Sequence, residues 1–485
     1  LNFEIKEIEN KLKPHEVYSL FKDEINSIFL DSSKEDSEFS LYSFIGLNPF
    51  KKFSSKGNEI FIDEKLVLGD PFKKLEELIL EYKINYNSEI PFLGGAMGYF
   101  SYDIGRVIED MPKSAKDDVC IPDSYFLFYD NVIIFDLRNQ KTYITALGIK
   151  EESEKSISKI YERIKDKYIN LNISLDKNTE FTSNFSREEY INSVKKVKEY
   201  IKEGHTYIAN LTQRFSCDFN SDPFDTYISL RSINKAPFSC YLNLEGFQII
   251  SSSPERFLKV FNNKVETRPI KGTRPRGKDK LEDEKNKKEL LNSEKDKSEL
   301  LMIVDLERND LSKVCKPFSV KVTELFKLEE YATVFHLVST VIGELKEDVS
   351  SVKCIRECFP GGSITGAPKI RSMEIIEELE GLRRGIYTGA IGYFDLRGNC
   401  DFNIVIRTIL TKDNKAYFGV GGGITIESVE EGCYNIEDLR NSEGIFISNS
   451  LLGIMRVSQF EEEFFGEKDL IEEIKSKYES SIISF

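Results

Sequence analysis

Between residues 1 and 150 the apolar positions fall in short runs with a two-residue period, the spacing of a strand with one face buried. FSLYSFIG (Phe39–Gly46), Glu59–Asp63 and DSYFLFYDNVIIFD (Asp123–Asp136) are such runs, while Pro71–Tyr82 changes to a helical period. An antiparallel sheet with a helix is expected there. GGAMGYFSYDIGRVIE (Gly94–Glu109) sets glycines among aromatics and reads as a strand lying close to a neighbour, followed by a helix or turn. Glu151–Tyr168 predicts a charged helix with Ile157, Ile160, Tyr161 and Ile164 on its apolar face. The polar run 169–185 carries no period and marks a domain boundary.

After the boundary, Ser186 and Glu189 form a capping box for a helix with Ile191, Val194, Val197 and Ile201 on one stripe, ending at Gly204. Strands are expected at Tyr207–Phe215, Phe238–Leu244, Phe247–Ser252 and Lys321–Leu328, then at Gly385–Asp395, Asp401–Leu410 and Tyr417–Ile424, while Tyr331–Ile342 carries His336, one of three histidines. Between them, Lys278–Lys297 reads as a solvated charged helix or insert, and Ser298–Leu306 as a helix burying Leu300, Leu301, Ile303 and Val304. PGGSITGAPK (Pro360–Lys369) reads as a flexible loop leading into a helix, with Pro368 in its first turn and Ile375, Ile376 and Leu379 on its apolar side. A further helical stretch is expected near Glu430, and the segments past about Phe446 are acidic and without motif.

The length of 485 residues exceeds what one core usually supports. With 67 basic and 82 acidic residues the net charge is −15, which argues against nucleic-acid and anionic-membrane surfaces and leaves basic loops to be read as sites for small anions. The eight cysteines have no CxxC spacing, no signal peptide is evident and no apolar run reaches membrane-span length, so a reduced, cytoplasmic protein is expected.

TRPIKGTRPRG (Thr267–Gly277) places Lys271 and three arginines among prolines and glycines, which reads as a rigid basic turn. On its own it is a solvated turn. It becomes a site only if acids, a helix N-terminus or a metal converge on Lys271. Asp296 and Glu299 share a helical face and could bind a hard cation. Glu255, after an apolar strand, is placed for general-acid work if buried, or for an ion pair with Arg256. Arg407, in the alternating run DFNIVIRT, is expected to face inward beside Asn403 and Val405, where a carboxylate could pair with it. PGGSITGAPK fails as a phosphate loop because its lysine is displaced, though its helix start could still receive an anion. GVGGG lacks the βαβ setting of a dinucleotide site.

Together, ISSSPERF, RPIKGTRPRG, SEKDKSELLMIVDLERNDL, TVFHLVSTV, PGGSITGAPKIRSMEIIEELE, RRGIYTGAIGYF, DFNIVIRT and GVGGGIT resemble the chorismate-utilising enzymes. The resemblance spans about residues 186–425, and YSFIGLNPF and GGAMGYFSYDIGR extend it toward the N-terminus. It implies an α+β fold with a large antiparallel β-sandwich core flanked by helices. Its divisions would be an anthranilate synthase component I-like part at 1–170, a chorismate-binding catalytic domain at 186–446 and a divergent tail at 447–485. PIKGT with lysine resembles the aminodeoxychorismate synthases, whereas anthranilate synthases typically carry alanine at that place.

In that branch the resemblance implies that Lys271 attacks chorismate as the 4-hydroxyl leaves, that Glu255 protonates the leaving group, and that ammonia then displaces the lysine. The amine must be partly neutral, which burial and nearby arginines would favour. His336 would lie beside the reacting ring, and Thr273, Ser363, Tyr387, Arg407 and the Gly422 and Gly423 amides would hold the substrate. Glu299 would bind magnesium. The family's second magnesium glutamate aligns without a gap on Ile436, and on Glu437 if one residue is inserted. Ile208 stands where the isochorismate-forming branch carries its lysine base. Ser32, Tyr42 and Ser43 match positions that bind tryptophan, as inhibitor or structural ligand. With no glutaminase-like region evident, ammonia is expected from a partner glutamine amidotransferase subunit. The alternatives are anthranilate synthase component I, or a weakened member that only binds.

Overall fold

The computed structural model describes residues 2–34, 41–171, 173, 181–331 and 334–428, with the paired segments Gln459–Phe460 and Glu463–Phe464. Within them, 22 strands form one antiparallel sheet network with helices packed along it, the expected α+β architecture. Strand Tyr42–Lys56 runs along Ser124–Asp136, which is buried at every position. The two sides of the polar boundary interleave: Ser27–Asp31 pairs with Phe238–Leu244, and Gly95–Phe100 pairs with Ala390–Asp395. Within the N-terminal part, Gly98 lets strand Gly95–Phe100 lie close against Ser124–Asp136, since a Cβ there would lie 1.9 Å from the Tyr125 carbonyl oxygen.

The helices follow their sequence signals closely. Asp70 caps Pro71–Glu81, and Ser186 with Glu189 forms the capping box of Arg187–Lys202. The charged helix spans Ser153–Ile164, with Ile157, Ile160 and Ile164 buried. The charged insert is a helix, Lys280–Asn292, capped by Asp279. It leads into the long helix Glu294–Val314, whose buried stripe is Leu300, Ile303, Val304, Glu307, Asp310, Leu311 and Val314. No described helix is long and apolar enough to cross a membrane, and the described cysteines are all unpaired.

Four local expectations are corrected. The Lys271 stretch is not a turn but a strand, Ile270–Pro275, which among the described residues pairs with Val334–Glu344 alone and so forms an edge. An edge tolerates Pro269 and Pro275, and Gly272, at φ +77°, absorbs a bulge where a Cβ would press on Asp296. Arg407 lies between strands Cys400–Asn403 and Thr408–Lys412 at φ +53°, not in a continuous alternating strand. There the Val405 amide and carbonyl bond Gly389 and Thr388, which takes the backbone out of the ladder. Leu301 is half exposed and off the buried face. Pro360–Ala367 is buried, not a flexible surface loop, and Pro368 precedes the helix Lys369–Glu380 as its N-cap. The helix expected near Glu430 lies outside the described residues.

Candidate active site

Lys271 projects from its edge strand into a half-enclosed space bounded by the long helix, the turn Gly362–Ile364 and strand Lys415–Ile424. Its Nζ donates to the Ser363 carbonyl at 2.6 Å. A Cβ built on Gly423 would lie 2.7 Å from Ile208 Cδ1 and 4.0 Å from Lys271 Nζ, so an apolar side chain and bare backbone border the amine. Burial lowers the pKa of Lys271, opposed by the carboxylates of Glu255, Glu299 and Glu307. The arginines of the same stretch are each held by acids. Arg268 binds Glu329, Arg274 binds Glu289 and Asp296, and Arg276 binds Asp283.

Glu255 is 4% exposed, and its Oε1 accepts the Ile270 amide at 3.3 Å. Burial raises its pKa, partly offset by the Ser363 hydroxyl, the Lys271 ammonium and Arg407. Arg256 is engaged elsewhere, by Asp401 and Glu266, so the local ion pair does not form. An amine pushed toward neutrality and a carboxyl pushed toward retaining its proton therefore face one another.

A second chain of contacts runs across the neighbouring strand. Arg407 Nη2 lies 3.2 Å from His336 Nε2, and His336 Nδ1 lies 2.9 Å from Thr273 Oγ1. A guanidinium only donates, so Nε2 accepts and Nδ1 carries the ring proton toward Thr273. Burial and Arg407 lower the pKa of His336 to about 3, and the ring is neutral at ordinary pH. The Tyr331 ring closes the far side, edge-on at 5.2 Å.

On the long helix, burial also raises the pKa of Glu299, which has Lys295 at 4.0 Å and the like charges of Asp296 and Glu427 nearby. Asp296 itself is held by Arg274 at 3.1 Å, which removes it from the cation pair expected with Glu299. Among the described residues no group of three or more His, Cys, Asp or Glu side chains converges to hold a metal. Glu299 remains an incompletely neutralised hard oxygen donor, a fit to magnesium, which uses one or two carboxylates. Glu437 lies outside the described residues.

The family described as chorismate binding enzyme matches residues 25–435. The chain is 40% identical over 445 residues to anthranilate synthase component 1 of Acetivibrio thermocellus, covering 86% of this chain and 90% of that protein. It is 37% identical over 414 residues to aminodeoxychorismate synthase component 1 of Escherichia coli K12, covering 84% and 90%. The crystal structure of anthranilate synthase component I from Streptococcus pneumoniae superposes with a TM-score of 0.76 at 31% identity, over 82% of this chain and 91% of that one. The chain belongs to the chorismate-binding enzyme family.

Other members of the expected site are spread more widely. Gly422 and Gly423 lie on strand Lys415–Ile424, opposite Leu211 and Asn210, and a Cβ on Gly422 would meet none of the described residues within 4 Å. Tyr387 packs its ring on Gly419 of the same strand, and burial pushes its hydroxyl up to about 12. In the N-terminal part, Ser32 and Tyr42 line a cavity of about 520 Å³ with Phe238 and Tyr393. Ser43 stands behind its wall, accepting the Ser32 amide at 3.1 Å and donating to Asp31 at 3.2 Å.

Two residues of this region escaped the sequence reading. Glu307 accepts Thr267 Oγ1 at 2.8 Å, and burial pushes its carboxyl up to about 8. Its signal was an acid on the repeat of the buried stripe. Arg384 is 7% exposed and reaches the backbone carbonyls of Ile364, in the Ser363 turn, and of Asn210, on strand Ile208–Asp218. Nothing in the local pattern GLRRG distinguishes it from Arg383.

Proposed function

We propose that the chain aminates chorismate with ammonia to give 4-amino-4-deoxychorismate, the precursor of p-aminobenzoate and folate. The observation that carries this reading is Lys271, half-buried, with its amine near Gly423 and Ile208 and opposite Glu255. The Lys271 nitrogen bonds to the ring while the bond to the 4-hydroxyl breaks, and the Glu255 proton leaves with that oxygen as water. The attached nitrogen returns a proton to Glu255. Ammonia then forms the new carbon–nitrogen bond at position 4 as the Lys271–ring bond breaks, and Glu255 exchanges the protons between the two nitrogens. The net change is chorismate plus ammonia to aminated product plus water.

Arg407, oriented by His336, Thr273 and Asn234, offers a fork for a substrate carboxylate, and Ser363, Tyr387 and the Gly422 and Gly423 amides complete the cradle. Magnesium, held by Glu299 and Glu437, would neutralise a second carboxylate. Ammonia comes from a separate glutamine amidotransferase subunit. The cavity at Ser32 and Tyr42, with Ser43 behind it, receives tryptophan.

Anthranilate synthase component I is the second reading, favoured by the 40% identity to the Acetivibrio protein. The two reactions differ in pyruvate. With chorismate, ammonium and magnesium, this chain should consume chorismate without releasing pyruvate. Stoichiometric pyruvate with anthranilate fluorescence would establish the second reading instead.

A further inference from the structure

Lys271 is held by a carbonyl, and that carbonyl belongs to a single turn outside any strand ladder. Ser363 sits in the one-turn helix Gly362–Ile364, steadied at its ends by the Thr365 hydroxyl on the Gly361 carbonyl at 3.0 Å and the Thr365 amide on the Gly362 carbonyl at 3.3 Å. The next carbonyl, of Ile364, accepts Arg384 Nη1 at 2.9 Å and Asn210 Nδ2 at 3.2 Å. Arg384 Nη2 also donates to the Asn210 carbonyl at 2.6 Å, and the Asn210 amide donates to the Thr365 carbonyl at 2.7 Å. One guanidinium therefore ties the turn to strand Ile208–Asp218, the strand that supplies Ile208 beside Lys271.

The guanidinium is itself fixed. Glu380, 6% exposed, accepts from Arg384 Nε at 2.9 Å and from Nη2 at 2.6 Å, and the Thr212 amide and hydroxyl each donate to Glu380 Oε1 at 2.9 Å. The Tyr102 ring lies 4.7 Å from the guanidinium carbon. A buried ion pair contributes little net stability and much geometric definition when its remaining donors and acceptors are satisfied.

We propose that Arg384, clamped by Glu380, is a positioning residue that fixes the Ser363 carbonyl as the acceptor for Lys271 and so sets where the amine rests. Its bearing on turnover rests on the reading of Lys271 as the reacting amine. Lysine at position 384 keeps the charge, yet a single ammonium cannot span the carbonyls of Ile364 and Asn210 in the planar geometry of the fork.

The test is acetic anhydride labelling of each lysine in the full-length chain at fixed pH, read by peptide mass spectrometry, alongside kcat and the chorismate KM. In Arg384→Lys, Lys271 loses its fixed acceptor and its labelling rises about tenfold, the worth of one charged hydrogen bond, while exposed lysines such as Lys155 label as before. The kcat falls by a similar factor, with a smaller change in KM. Glu380→Gln gives a weaker change in the same direction and decides the matter if Arg384→Lys does not fold. Unaltered Lys271 labelling in a folded variant overturns the proposal, whether or not kcat falls. If Lys271→Ala turns over normally, the amine mechanism fails, and the labelling result still decides the positioning role.

Discussion

Glu307→Gln isolates the electrostatics beneath Lys271. Burial raises the Glu307 carboxyl from 4.5 to about 8, against the opposing pull of the Thr267 hydroxyl. The fold binds this proton more tightly than the unfolded chain does. Its contribution to stability is complete below pH 4.5 and is lost as pH rises through about 8. Between pH 6 and pH 9 the loss is about 3 kcal/mol, at about 1.36 kcal/mol for each pH unit separating pH 6 from the folded value. Glutamine keeps the shape and can still accept from Thr267, and it has no proton to lose. Urea unfolding at the two pH values, followed by circular dichroism, gives the free energies. The wild-type chain should lose about 3 kcal/mol more than Glu307→Gln over that interval. Parallel pH dependence in the two proteins would show that Glu307 does not ionise within it, and the account of a crowded, burial-dominated carboxyl set around Lys271 would fail.

Gly98→Ala brings a Cβ to 1.9 Å from the Tyr125 carbonyl oxygen, a backbone group that cannot move aside. A loss of about 3 kcal/mol is expected in the same urea titration, at the upper end for overpacking, and a change below about 0.5 kcal/mol would contradict the close approach of the two strands. Arg407→Lys keeps a positive charge and loses the fork that reaches both His336 and Asn234. The chorismate KM should rise about tenfold or more, since a two-pronged carboxylate contact is reduced to a point charge, and an unchanged KM would remove Arg407 from the substrate site.

The fold was legible wherever a local rule operated. Ser186 and Glu189 capped the helix they were expected to cap, and the glycines of Gly94–Glu109 marked a real strand contact. Thr267–Gly277 misled because proline and glycine signal turns locally, whereas the partner strand that makes Ile270–Pro275 an edge comes some sixty residues later. Arg407 was correctly placed inward for an incorrect reason, because the bonds of Val405 to Gly389 and Thr388 are tertiary. The site was legible only in part. Lys271, Glu255 and Ile208 do come together, and so do Thr273, His336 and Arg407. Asp296 was lost to Arg274, a pairing across two elements that helical spacing cannot reveal. Glu307 and Arg384 act through burial and through backbone carbonyls, and neither leaves a motif.

The central claim is that the Lys271 amine bonds to the ring. Acid-quenched intact mass after mixing the chain with chorismate and magnesium, in the absence of ammonium, measures this directly. The account predicts an added mass equal to chorismate less one water, mapped to the Lys271 peptide, dispersed by ammonium and absent from Lys271→Ala. Full amination by Lys271→Ala with no adduct in either protein would contradict it.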